Sequence, residues 1–496
     1  MWLNSLIVQL FNMETMEKIN SATFVSGLIQ KILKKRFYRK ILLSKLGKHV
    51  RKRIMMNDTL SLPESVRLHK YYAIQSMYMS YFRNYDKGII SKKVTNKVIE
   101  TLLKSVILDN NEVQKSVERF QTKYNQLPPK FLTISPTKKC NLKCIGCYAS
   151  SKATDSESLS WTLLNKIIKD AYSNMGMRFF VISGGEPLLY KSENKTILDL
   201  AKLWDDCFFL MYTNGTLISE EIASQMASAG NITPAISIEG SESFTDNRRG
   251  KGVYEKILNA TDNLTEKGVP FGLSVTATKE NINLLLDESF YKFYFNEFGA
   301  TYMWIFQYMP IGLEFTTDLM ITPEQRIALF KIEKKILMED RFFVADFWNS
   351  AIMSNGCISC GKPKGYFYIN WDGNIMPCVF VPHYIDNVNS LYNSGKTLSD
   401  ALFSPLFVEG RKWQSRYLYS NGKIGNLLMP CFYRDHHKDF VEIAKSTGAK
   451  PENQAAGDAL NSNEYYEAMM RFDEQLEKVS SPVWDEYITQ NGENHK

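Results

Sequence analysis

Long apolar runs are missing from this 496-residue sequence: no stretch approaches the ~20 unbroken apolar residues that span a bilayer, so no transmembrane helix is expected. The opening MWLNSLIVQLFNMETMEK has no basic residue before its apolar run and no small-residue cleavage site, so it does not read as a secretory signal. Cysteine is scarce, with eight in the chain. A chain of this length accommodates one large domain of roughly 200 to 250 residues plus at least one smaller unit, and it needs no disulfide staples to fold. A reducing cytoplasm is the expected setting, with thiolates reserved for metal. No paired nucleophile and general base points to hydrolysis, and the six histidines form no competing metal set. No reader motif or spaced aromatic platform suggests nucleic acid as a partner.

Acidic residues are scarce in one place only. Residues 1–60 hold twelve Lys or Arg against Glu14, Glu17 and Asp58, so the rest of the chain is slightly negative although the net charge is +7. Within residues 20–55, Phe24, Leu28, Ile32, Ile41, Leu42 and Leu46 recur near a helical spacing with Lys and Arg opposite. Such a basic amphipathic helix either packs its apolar stripe on the protein or lies peripherally on an anionic membrane. Packing is narrowly favoured.

Residues 61–125 read as further helices, completing a helical N-terminal extension over 1–125. After Pro128 and Pro129 the pattern changes. FLTISP, RFFVIS, FFLMYT, ITPAISIE, PFGLSVTAT and TYMWIFQY are apolar strands separated by helical segments, among them SWTLLNKIIKDAYSNMG with a serine N-cap. Repeated β/α units predict an α/β fold, a partial (β/α)6 barrel over 126–345, whose chemistry sits at the carboxyl ends of the strands.

PTKKCNLKCIGCYASSK follows the first strand and places Cys140, Cys144 and Cys147 in one short loop. Three soft ligands are one fewer than a closed zinc site uses. A redox dithiol would need only Cys144 and Cys147. A [4Fe-4S] cluster wants one thiolate per iron, and three would leave one iron open; this reading is preferred over zinc and dithiol.

With this cysteine triplet at the end of the first strand, the sequence resembles the radical S-adenosylmethionine superfamily, and further motifs of that family follow in order at later strand ends. The resemblance implies that Cys140, Cys144 and Cys147 hold the catalytic cluster, with Tyr148 as its aromatic neighbour. It implies that the open iron receives the methionine end of S-adenosylmethionine, and that reductive cleavage yields a 5'-deoxyadenosyl radical. Gly184, Gly185, Glu186 and Pro187 match the glycine-glycine-glutamate-proline motif, Glu186 being expected to receive the methionine amino group. Thr213 and Asn214 match the strand-three motif. Ser237 matches the family's serine; Glu239 departs from the usual aspartate by one methylene, which puts its contact in doubt. Arg249 is the better candidate than Arg248 for the methionine carboxylate, as a bidentate donor, and Thr276 is a candidate adenosine contact. A low-potential donor such as a flavodoxin or ferredoxin is the implied electron source.

Cys357, Cys360 and Cys378 bracket a hairpin with an Asp372-Gly373 turn, and Cys431 follows. Four thiolates close a site, which leaves zinc as an alternative. The pattern resembles the SPASM or twitch extensions and implies a single auxiliary [4Fe-4S] cluster in a small cysteine-rich α+β domain over 346–440. Residues 441–496 read as a polar linker and an accessory surface helix, and Cys207 as a core thiol. The expected reaction is hydrogen abstraction from a C–H bond of a ribosomally made peptide or protein. A lipid or other membrane-associated small molecule is the second reading, and a non-enzymatic iron-sulfur protein the third.

Overall fold

A computed structural model describes residues 35–56, 62–102, 111–312, 315–420 and 423–489. Seven parallel strands follow one another across the sheet in chain order: β1 (Phe131–Ile134), β2 (Phe179–Ile182), β3 (Phe208–Thr213), β4 (Ile232–Ser237), β5 (Gly272–Ala277), β6 (Tyr302–Gln307) and β7 (Val344–Asp346). The six expected strands form. β7 is an addition whose three residues give too little pattern to read.

Alternation along each strand makes both the core and the cavity. Leu132, Ile134, Phe180, Ile182, Phe209 and Met211 are buried in the main core, while Phe131, Thr133, Phe179, Val181, Leu210 and Tyr212 line the inner cavity. Helices cover the outer face. Trp161–Met175 starts where the Ser160 hydroxyl accepts from the Leu163 N–H, ends at the left-handed Gly176, and buries Leu164, Ile167, Ile168, Ala171 and Met175.

The barrel is open. The free side of β1 is taken by β8 (Tyr366–Ile369), parallel to it with Phe131 opposite Tyr366. β9 (Asn374–Met376) turns back antiparallel to β8, as the Asp372-Gly373 hairpin requires. β10 (His383–Tyr384) pairs with residues 450–451, and β11 (Asp386–Asn387) forms the sheet edge on β9. The second cysteine region therefore continues the barrel sheet.

Of the basic N-terminal stripe, Phe24, Leu28 and Ile32 lie outside the described residues. In the helix Arg36–Met56, Leu42 is buried and Ile41 and Leu46 are half-buried. Arg39 is buried, pairs with Asp86 and lies 4.9 Å from the Tyr85 ring centroid. This part of the stripe packs on the protein. No helix among the described residues is long and apolar enough to cross a membrane.

The C-terminal region differs from the expected linker and surface helix. Part of the linker is the helix Gln454–Asn461, whose first turn is capped by the Asn453 side chain. The helix Asn463–Thr489 buries Tyr465, Met469, Asp473, Leu476, Ser480, Trp484 and Tyr487, a stripe at spacings of three and four. The Tyr487 hydroxyl donates to the Ser65 carbonyl at 3.1 Å, tying the C-terminal helix to the N-terminal extension.

Asp473 sits in that stripe. Burial pushes its carboxyl up to about 8, against the hydrogen bond from the His437 N–H. An unfolded aspartate releases its proton near ~3.9, so between these values the folded state binds more protons and stability falls as pH rises. Asp473→Asn is expected to raise the thermal midpoint at pH 8 and leave it nearly unchanged at pH 4. Equal shifts at both values would contradict this assignment.

Candidate functional site

The loop after β1 carries Cys140, Cys144 and Cys147, and all three line a cavity of about 430 Å³ at the carboxyl ends of the strands. The loop is held by the segment after β2. The Gly185 N–H donates to the Thr137 carbonyl at 3.0 Å and the Glu186 N–H to the Lys139 carbonyl at 2.8 Å. A Cβ at Gly185 would collide with the carbonyl oxygens of Lys138 and Lys139, so the paired glycines allow the two loops to meet. The Tyr148 hydroxyl is 2.7 Å from the Ser183 hydroxyl and accepts from the Gly184 N–H at 3.3 Å.

Glu186 does not line the cavity. Its carboxylate is fully buried and accepts from the Leu188 N–H at 3.1 Å, the Thr213 hydroxyl at 2.7 Å and the Asn214 N–H at 2.8 Å. Burial raises its pKa, opposed by these three donors. Glu186 thereby fixes the segment after β3, whose Asn214 amide points at the Cys140 sulfur from 3.9 Å and donates to the Asn141 side chain at 2.9 Å.

Glu239 is also behind the wall. It accepts from Arg248 Nη1 at 2.5 Å, from Arg249 Nε at 2.9 Å and Nη2 at 2.5 Å, and from the Thr276 N–H at 3.3 Å. The longer side chain is what this convergence employs. Arg249 extends Nη1 to within 3.9 Å of the Cys144 sulfur; burial would lower its pKa, but Glu239 and Cys144 outweigh that and raise it. Asp246 accepts from the N–H groups of Gly252 and Tyr254 and so caps the next helix.

Of the candidates read from the sequence, Cys140, Cys144, Cys147, Tyr148, Gly184, Gly185, Thr213, Asn214, Ser237, Arg249 and Thr276 line the cavity; Glu186, Pro187 and Glu239 do not. Arg248 does line it, with its Nε buried and unpartnered. The aromatic wall was also missed: Phe380 lies 5.9 Å from Phe306, 5.4 Å from Phe347 and 5.9 Å from Tyr148 between ring centroids. Period-two alternation in YMWIFQ, which sends Trp304 and Phe306 inward, was the available signal for part of it.

The second cysteine group opens on the same cavity. Cys357, Cys378 and Cys431 line it, while Cys360 is fully buried behind them. The Ser359 hydroxyl lies 3.1 Å from the Cys357 sulfur and 3.3 Å from the Cys360 sulfur, and the Tyr366 hydroxyl is 2.8 Å from Cys378. Burial pushes Cys360 and Cys431 up to about 12, and the charge of Cys357 adds to both. Burial likewise pushes Cys140 up to about 12. Thiols of this kind give up protons when a metal takes their place. Among the described residues no group of three or more His, Cys, Asp or Glu is arranged to hold a single metal ion as it stands. Cys207 is fully buried in the core.

The Radical SAM superfamily profile matches residues 134–287. Residues 134–287 of the chain form a radical SAM domain. Mycofactocin maturase MftC of Mycolicibacterium smegmatis is 29% identical over 317 residues, 61% of this chain and 77% of that protein. Fe-coproporphyrin III synthase of Methanosarcina barkeri is 32% identical over 149 residues, covering 29% of this chain and only 36% of the relative. The fold is shared with Streptococcus suis SuiB bound to precursor peptide SuiA, with a TM-score of 0.51 at 18% identity, over 66% of this chain and 79% of SuiB. Radical SAM membership implies a [4Fe-4S] cluster and S-adenosylmethionine. The donor set fits both: three soft thiols on one loop, beside an arginine and backbone groups that face the same volume.

Glu186→Gln tests the part of this radical SAM site that departs from expectation. A carboxamide has one oxygen where the carboxylate uses two, so an N–H or O–H donor is left facing an NH2 group. The expected loss is about 1–3 kcal/mol of stability, read by urea unfolding. An unchanged stability with weakened S-adenosylmethionine binding would instead place the carboxylate on the cofactor.

Proposed function

We propose that this radical SAM enzyme modifies a ribosomally made peptide or protein, with Cys140, Cys144 and Cys147 holding the catalytic [4Fe-4S] cluster and Cys357, Cys360, Cys378 and Cys431 holding a single auxiliary one. When bound and reduced, the cluster held by Cys140, Cys144 and Cys147 would supply one electron to S-adenosylmethionine, which would part into methionine and a 5'-deoxyadenosyl radical able to take a hydrogen atom from a substrate C–H bond, giving 5'-deoxyadenosine and a substrate radical. Gly184, Gly185, Thr213, Asn214, Ser237 and Thr276 provide the polar wall for the cofactor, with Arg249 placed for its carboxylate. Tyr148 shields the cysteine loop. Glu186, Pro187 and Glu239 act from behind by positioning these groups. The aromatic wall excludes water from the reacting volume.

The observation that carries this reading is the opening of both cysteine groups on one cavity, which gives a substrate bond access to two redox centres. The peptide class is supported by the names of relatives: the match to the maturase MftC runs well beyond residues 134–287, and the sporulation killing factor maturation protein SkfB of Bacillus subtilis is 28% identical over 159 residues. The proposed organisation is an N-terminal helical extension over 1–125, the radical core over 126–345, the auxiliary region over 346–440 and a C-terminal segment over 441–496. A flavodoxin or ferredoxin is the proposed electron donor. The lipid reading gains no support from the described part of the basic helix.

The test is an anaerobic reaction of the loaded enzyme against separate peptide and lipid extracts, followed by mass spectrometry. A mass change confined to peptide, and lost when Cys140, Cys144 and Cys147 are replaced, is the expected result. A change confined to lipid would overturn the substrate class.

A further inference from the structure

Two half-buried cations grip the Cys357-x2-Cys360 loop from opposite ends. The Lys362 ammonium donates to the carbonyls of Asn355 at 3.0 Å and Cys357 at 3.2 Å. Arg411, on the helix Pro405–Leu418, donates through Nη1 to the carbonyls of Cys360 at 2.8 Å and Leu402 at 2.7 Å. The same helix passes so close to the loop that a Cβ at Gly410 would collide with the Cys360 sulfur. Neither cation has a carboxylate within ion-pair distance among the described residues; the pairs formed there involve other side chains. A half-buried charge with no carboxylate beside it calls for a counter-charge, and the groups that both cations hold are the loop of Cys357 and Cys360.

We propose that Lys362 and Arg411 are the built-in counter-ions of the group held by Cys357, Cys360, Cys378 and Cys431, and that they raise its reduction potential. This rests on the proposal that those cysteines hold an iron-sulfur cluster. Reduction adds one negative charge, which nearby fixed positive charge stabilises more than it stabilises the oxidised form. Both residues are positioning residues: they reach the cluster through the loop backbone and through space.

The test uses the full chain, anaerobically loaded, with Cys140, Cys144 and Cys147 replaced by alanine so that only the auxiliary signal remains. Iron and sulfide are counted, and the signal is titrated by electron paramagnetic resonance against potential. Lys362→Met and Arg411→Gln are each expected to lower the midpoint so that the ratio of reduced to oxidised cluster, at the potential where the parent is half reduced, falls about tenfold, equivalent to ~59 mV for one electron. Arg411→Gln keeps an N–H donor near the Cys360 carbonyl and removes the charge, together with the bond to the Leu402 carbonyl and the contact with the Phe403 ring. Lys362→Arg should keep the parent midpoint. If Lys362→Met does not retain iron, Arg411→Gln decides. Unmoved midpoints with full iron content would overturn the counter-ion role while leaving the cluster intact. Absence of a second cluster in the parent would overturn the auxiliary assignment and this inference with it.

Discussion

Replacing Cys140, Cys144 and Cys147 together by alanine is expected to reduce formation of 5'-deoxyadenosine and methionine from S-adenosylmethionine to the uncatalysed background. The three thiols share one loop and one cavity, and the groups around them make no substitute ligand set: Asn214 and Arg249 approach Cys140 and Cys144 only as hydrogen-bond donors at 3.9 Å. Neither an amide nitrogen nor a guanidinium supplies the electron-pair donor that iron needs. The fold should survive, because the loop is anchored by backbone bonds from Gly185 and Glu186 rather than by the thiols. The product is measured by chromatography under anaerobic reduction, alongside far-ultraviolet circular dichroism. Cleavage near the parental rate in a folded variant would remove these residues from the chemistry.

The largest stability effect is expected at Asp435. This fully buried carboxylate accepts two bonds from Arg326, at 2.7 and 3.0 Å, one from Arg434 Nε at 3.0 Å and one from the Cys431 N–H at 3.2 Å. Arg434 continues to the Gln307 side-chain oxygen at 3.0 Å, and the Gln307 amide donates to Asp346 at 2.9 Å, so the network joins β6, β7 and the Cys431 loop. Asp435→Ala would leave two buried guanidinium groups without their carboxylate. Removing one member of such a pair lowers stability by about 3–5 kcal/mol, and Asp435→Asn, which keeps an acceptor, should lose less. Urea unfolding of all three proteins gives the comparison. A loss below about 1 kcal/mol for the alanine variant would mean that the arginines are satisfied without Asp435.

The barrel was legible because its signals are local. Strands such as FFVI and FFLMYT sit between a capped helix and a glycine or polar turn, and each cysteine group occupies a short window. Other features depend on contacts remote in sequence. The pairing of β8 with β1 brings residues 366–369 beside 131–134, and the stripe on the C-terminal helix is buried partly against the N-terminal extension, where Tyr487 meets Ser65. Direction is the third obstacle. Motif order places Glu186 near the cofactor volume, but the donors on Leu188, Thr213 and Asn214 draw its carboxylate into the wall. The pair Arg248-Arg249 shows the same difficulty. The resemblance singles out one arginine for the cofactor carboxylate, whereas a single glutamate that reaches both leaves both on the edge of the cavity.

The central claim is that two separate iron-sulfur centres, one of them open to S-adenosylmethionine, share one cavity. Iron and sulfide content combined with electron paramagnetic resonance tests it most directly, on the parent chain, on the variant lacking Cys140, Cys144 and Cys147, and on the variant lacking Cys357, Cys360, Cys378 and Cys431. The account predicts two [4Fe-4S] clusters in the parent and one in each variant, with S-adenosylmethionine shifting the signal only where Cys140, Cys144 and Cys147 remain. A signal that still shifts with S-adenosylmethionine in the variant lacking those three cysteines would contradict it.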